Sequence, residues 1–240
     1  MVTQTRSRAS TRAWTCASST DLESAPLNVD QRYRLVYKPL VFIASLVPLL
    51  LLLARGFGIF GESLGADPVK TTLHVLGKTG LNLLLITLLV TPVRQLTGFT
   101  HLLRLRRMLG LFAFTYVLLH FLLYISYEGF DFGDILKDIA KRPYITIGFL
   151  ALLMLIPLAI TSTNRMMRRL GRRWQSLHRL IYVIAVLGVW HFYWQVKKDV
   201  REPLIYAGIL AVLLGYRAIR AWQKKRVTSK PAPATAPGRT

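Results

Sequence analysis

Apolar residues in this chain do not alternate with polar ones over most of its length. They gather into six long runs separated by short basic segments. A bilayer's hydrocarbon core is about 30 Å thick, and roughly 20 apolar residues cross it as a helix. The pattern predicts helices over 39–60, 73–93, 109–127, 144–161, 177–196 and 203–222. Pro39 and Pro203 stand where a first helical turn tolerates proline. Pro157, inside the fourth run, is compatible with a kinked membrane helix. The fold class expected is an all-α membrane protein, a six-helix transmembrane bundle over 39–222. It is flanked by polar tails at 1–38 and 223–240. The N-terminal tail is rich in Ser, Thr, Arg and Ala, does not read as a secretory signal, and is expected to be disordered. Residues 231–238, rich in Pro and Ala, need no fold.

Charge orients the bundle. The chain carries 32 Lys+Arg against 11 Asp+Glu, a net +21, with a mean hydropathy of +0.38. In a soluble protein that excess suggests nucleic acid. Here the basic residues sit in short loops between apolar runs, so topology explains them and nucleic-acid binding is excluded. The two tails, the C-terminal end of the sixth run (Arg217 and Arg220) and the second–third and fourth–fifth connections carry 22 of them, against 8 on the opposite side. Both termini are therefore expected in the cytoplasm. Glu128, Asp131, Asp134 and Asp138 fall in the third–fourth connection, expected to be a solvated outer loop. The single cysteine, Cys16, excludes a disulfide framework, a four-cysteine iron–sulfur site and covalent haem attachment through Cys-x-x-Cys-His.

Two histidines lie within the runs. His120 is 11 residues into the third and His191 is 14 into the fifth, both starting from the basic side. At 1.5 Å per residue both lie roughly 16–21 Å from that edge. Similar depth on two helices is what bis-histidine ligation of an iron porphyrin needs. Interhelical hydrogen bonds are the competing explanation. His178 lies 13 residues before His191, about 20 Å along the axis but rotated by about 140°. Two stacked groups facing one partner helix would then need a bulge, or ligation from different neighbours; an interfacial histidine is the alternative. His74, at the outer start of the second helix, fits an interfacial role, a supporting role or ligation of a superficial haem, and His101 a solvated loop. Arg106, 14 residues before His120, shares roughly its face. With Arg107, Arg172 and Arg173 it forms a basic rim suited either to topology or to propionates and flavin phosphate. Gly77-Lys78-Thr79 lacks the leading glycine of a phosphate loop and runs into a span, so it is not a nucleotide site.

Several strings together carry a resemblance. They are Gly65-Ala66-Asp67-Pro68, Gly77-Lys78-Thr79-Gly80, Leu89-Val90-Thr91-Pro92, Arg106-Arg107-Met108-Leu109-Gly110-Leu111 before Leu119-His120, Arg142-Pro143-Tyr144, and Leu170-Gly171-Arg172-Arg173-Trp174-Gln175-Ser176-Leu177-His178. The chain resembles the MsrQ (YedZ) family of haem-binding membrane subunits, within the ferric-reductase-like transmembrane group. The resemblance implies haem b, one or two per chain, in a multi-pass protein of the bacterial inner membrane. It implies His120, His178 and His191 as iron ligands, and FMN as an associated cofactor. Electrons would come from a cytoplasmic flavin reductase or the quinone pool. They would go to a periplasmic molybdopterin methionine sulfoxide reductase that repairs oxidised proteins. In the wider oxidase group the third helix supplies two histidines about fourteen apart; here the earlier position is Arg106. A direct ferric reductase and a cofactor-free, proton-coupled transporter are the competing functions.

Overall fold

The computed structural model describes residues 29–59, 64–99, 102–196 and 199–228. Cys16, His101, Lys197, Lys198 and residues 231–238 lie outside the described residues. The elements in chain order are α1 (Val29–Arg32), a π-helical turn (Tyr33–Tyr37), α2 (Lys38–Gly56), α3 (Pro68–Thr97), α4 (Leu102–Tyr127), α5 (Phe132–Lys141), α6 (Pro143–Ile160), α7 (Asn164–Leu170), α8 (Arg172–Leu177), α9 (Leu180–Gln195) and α10 (Arg201–Thr228). Among the described residues there is no strand, and six helical segments are long and apolar enough to cross a membrane.

Where boundaries differ from the sequence expectation, prolines explain much of it. The first span does not begin at Pro39; it runs from Asp30 to Gly56, so residues 30–38 are helical. Proline removes a ladder donor. The π-turn just before it lets Lys38 N–H reach Tyr33 O instead, and the helix passes through. The second span is longer at both ends. Asp67 caps its start by accepting from Lys70 N, Pro68 fills the first position, and Gly98 at φ +75° closes it. Pro92 sits inside α3 and has no N–H for the Leu88 carbonyl, which instead accepts from Arg217 Nη2 at 2.6 Å.

The acidic third–fourth connection is a helix rather than a loop. Asp131 accepts from Gly133 N and Asp134 N, which starts α5. Ile135 is buried, whereas Phe132 and Leu136 are exposed, so the segment is amphipathic. Asp134 and Lys137 pair at 2.9 Å, which holds the carboxyl below its ordinary pKa and the ammonium above. The fifth span is broken. α8 ends at Leu177, His178 and Arg179 form a turn, and α9 resumes at Leu180.

α3 is the axis of the bundle. Half of its most apolar window is buried, against 11–22% for the other spans, which face outward with apolar side chains as lipid contact requires. It packs chiefly along α4, while α6 packs along α9. The basic segments gather at one end, the arginine-rich face, through Arg104–Asp30, Arg107–Asn164 and Tyr216–Gln95. The opposite face is tied by Lys78–Glu202. One buried phenol joins α4 to α2: Tyr116 Oη donates to Ser45 O at 2.8 Å and accepts from Leu49 N at 3.1 Å. It occupies a helical turn opened beside Pro48. Tyr116→Phe leaves both groups unpaired, so thermal unfolding in detergent should show a loss of about 1–3 kcal/mol. An unchanged melting curve would refute the role.

Candidate functional site

His120 and His191 face each other across the bundle with ring centroids 6.2 Å apart and planes at 84°. Each is held the same way. His120 Nδ1 lies 2.9 Å from Leu73 O, and His191 Nδ1 lies 2.7 Å from Tyr144 O. A carbonyl only accepts, so each Nδ1 carries the proton and each neutral ring keeps its lone pair on Nε2. Neither Nε2 bonds to a described residue. A backbone-tethered Nδ1–H is how metal-ligating histidines are oriented.

Glycine makes the room. A Cβ at Gly77 would meet His120 Nδ1 at 3.2 Å, and one at Gly148 would meet His191 Nδ1 at 2.7 Å. In both cases the accepting carbonyl lies four residues before the glycine and 47 before the histidine. The pairs Gly77/Gly148 and His120/His191 share one 71-residue offset. The cavity between the rings, about 310 Å³, is lined at that same offset by Leu81 with Leu152, Leu84 with Leu155, and Phe121 with Phe192.

These features fit a planar, largely apolar metal complex. Two imidazole–metal bonds of about 2 Å each, with the ring radii, match the separation of the rings. Apolar walls then receive the rest of the group.

A family model described as "Ferric reductase like transmembrane component" matches residues 76–189. A Xanthomonas axonopodis pv. citri protein is 50% identical over 206 residues, covering 82% of this chain and 94% of that protein. A Rhodospirillum rubrum protein is 52% identical over 194 residues, covering 80% and 92%. Both are named "Protein-methionine-sulfoxide reductase heme-binding subunit MsrQ". The chain belongs to the MsrQ family. It is accordingly a multi-pass protein of the bacterial inner membrane, as the six spans require. No solved structure matches the chain.

The other residues expected at the site are placed unequally. His74 lines the same cavity, and its Nε2 is 3.1 Å from Gln195 Nε2, which donates to it. His178 stands apart towards the arginine-rich face, in the break between α8 and α9. It stacks on Trp174 at 3.9 Å, and its Nδ1 is 3.1 Å from Trp174 O. Its Nε2 is buried without a hydrogen bond. The helix that carries His191 does not run unbroken to His178, so the 140° rotation expected of a continuous helix does not apply between them. Arg107 is spent on Asn164 Oδ1, at 2.5 Å, and on Met167. Arg172 and Arg173 are exposed. None of these three lines the His120–His191 cavity.

Sequence reading gave Gly77 and Gly148 no role at the site and missed the carbonyls of Leu73 and Tyr144. The signal was present as the 71-residue internal repeat, which no motif search along the chain reveals.

Proposed function

We propose that this chain carries electrons across the inner membrane by way of a haem b held between His120 and His191, and delivers them to a methionine sulfoxide reductase catalytic subunit. The matched tethers, which leave an Nε2 lone pair on each of two histidines that line one largely apolar cavity, carry this reading. The names of the relatives support it. The 22-to-8 bias of basic residues supports an orientation with the arginine-rich face and both termini in the cytoplasm and the His74 face in the periplasm.

The group, when bound, supplies a ferric–ferrous couple. His120 and His191 bind it through Nε2. The carbonyls of Leu73 and Tyr144 hold the Nδ1 protons and raise the basicity of both rings. Leu81, Leu84, Leu152 and Leu155 exclude water and keep the local dielectric low. His74 and Gln195 close the periplasmic side, where the molybdopterin-containing partner docks in this proposal. His178 serves as a further ligand from the cytoplasmic half, with its lone pair kept free by the Trp174 carbonyl. The rim of Arg106, Arg107, Arg172 and Arg173 receives the donor, a flavin reductase with FMN or a quinol.

The test is a dithionite-reduced minus oxidised spectrum of the purified protein, with a pyridine haemochrome count. A b-type spectrum at one or two haems per chain is expected. Well-folded protein without haem would end the proposal and return the histidines to proton transfer. Reduction of a ferric chelate without any protein partner would favour direct ferric reduction.

A further inference from the structure

α5 is too short to span a bilayer, and its two faces differ sharply. Phe132, Ile135, Leu136 and Ile139 recur at the spacing of one helical face. Asp134, Lys137, Asp138 and Lys141 recur at the same spacing on the opposite one. The apolar face is itself divided. Ile135 is buried and Ile139 half-buried, where α5 packs on α6. Phe132 and Leu136 are 71% and 69% exposed. Phe130, in the turn before α5, is 62% exposed at φ +61°, the one non-glycine residue in the left-handed region among the described residues. Glycine would make that turn without strain, so the exposed ring is what phenylalanine adds there.

The chain fixes the level of these side chains. α4, a membrane span, ends at Tyr127, and α6, another, begins at Pro143. Only Arg142 separates α5 from α6. Arg142 N donates to Asp138 O at 2.9 Å, Arg142 Nε pairs with Asp138 at 3.3 Å, and the Thr146 hydroxyl donates to Ile139 O. α5 is therefore held where both spans leave the hydrocarbon, and rising into bulk water would open the first turn of α6. The outward walls of the same two spans, with Tyr127 on α4 and Leu150 on α6 exposed, continue the apolar surface. With the charged face turned to water, Phe132 and Leu136 point to the lipid side. That charged face is balanced, two acids against two lysines, and Asp134 and Lys137 pair within it. What α5 offers a partner is apolar burial rather than net charge.

We propose that α5 is an in-plane helix that beds Phe130, Phe132 and Leu136 into the headgroup–acyl boundary of the bilayer, on the face opposite the arginine-rich one, and so anchors the start of α6. Its partner is the lipid surface. The assignment rests on the six spans and not on the group held by His120 and His191, so it survives failure of the electron-transfer reading.

The test uses the full chain with its single cysteine removed, Cys16→Ser. Phe132→Cys, Leu136→Cys, Lys137→Cys and Lys141→Cys are each spin-labelled in phosphatidylcholine nanodiscs, with Leu150→Cys as the lipid reference. Helical circular dichroism checks that each variant folds. Collision of the label with oxygen, which concentrates in lipid, is compared with collision with a water-soluble nickel chelate. Labels at Phe132 and Leu136 should be oxygen-dominated like the reference, about 5–10 Å into the boundary. Labels at Lys137 and Lys141 should be nickel-dominated. Leu136→Asp should lift the Phe132→Cys label towards water, because a carboxylate does not follow an apolar side chain into lipid. Nickel dominance at every position on α5, or a Phe132→Cys label that Leu136→Asp leaves in place, would overturn the proposal. So would labels at Phe132 and Leu136 that stay in water until the periplasmic catalytic subunit is added and then become immobile, since the face would belong to that protein.

Discussion

Replacing His191 by alanine is expected to remove the b-type spectrum from the purified protein while its helical circular dichroism stays intact. Loss of a residue that merely orients a ligand costs roughly 10–100-fold in metal affinity, and loss of the ligand itself should exceed that. No substitute is at hand. Among the described residues there is no cluster of three or more metal-binding side chains, and the remaining cavity histidine, His74, is engaged by Gln195. His120→Ala should behave alike, because its tether and cavity wall are equivalent. His178→Ala should leave this signal in place, because His178 does not line the cavity. A full spectrum in either His120→Ala or His191→Ala would show that the iron is held elsewhere.

Gly148→Ala is the sharper test, since it touches no ligand. The added methyl would sit 2.7 Å from His191 Nδ1 and 2.8 Å from Cε1, too close for either to stay. The ring must move and its bond to Tyr144 O must break or lengthen. Haem affinity should fall about 10–100-fold, the cost of losing an orienting partner. Helix propensity gains up to about 1 kcal/mol, which offsets part of the roughly 1–3 kcal/mol that crowding the ring costs. The expected outcome is therefore a protein that still folds, with its helical circular dichroism intact, and binds less haem. Gly77→Ala should do the same more weakly, since its nearest approach is 3.2 Å. Equal haem content in wild type and Gly148→Ala would show that His191 does not need this pose.

The six spans were legible in the sequence because lipid demands long unbroken apolar runs, and such runs are conspicuous. The equal depth of His120 and His191 was legible for the same reason, since a helix converts residue count into distance. Three things were not. α5 hides in a stretch whose charges look solvated, because its apolar residues are few and spaced for one face only. The break at His178 follows from local hydrogen bonding to Trp174, with no proline or glycine to announce it. Arg217 looked like one more topology signal; only the carbonyl opened by Pro92 on another helix gives it a specific place.

The 71-residue repeat has a consequence beyond ligand placement. The chain reads as one helical hairpin used twice, with α3–α4 as the first copy and α6–α9 as the second. Where the copies agree, at the carbonyl, glycine, histidine and leucine positions, they build a centre with near two-fold symmetry that neither copy could complete alone. Where they disagree, the local structure differs: Trp174 stands opposite Leu103 and His178 opposite Arg107, in the copy whose helix is broken at His178. The repeated positions thus make up the shared centre, and the two copies differ most at the arginine-rich end of the bundle.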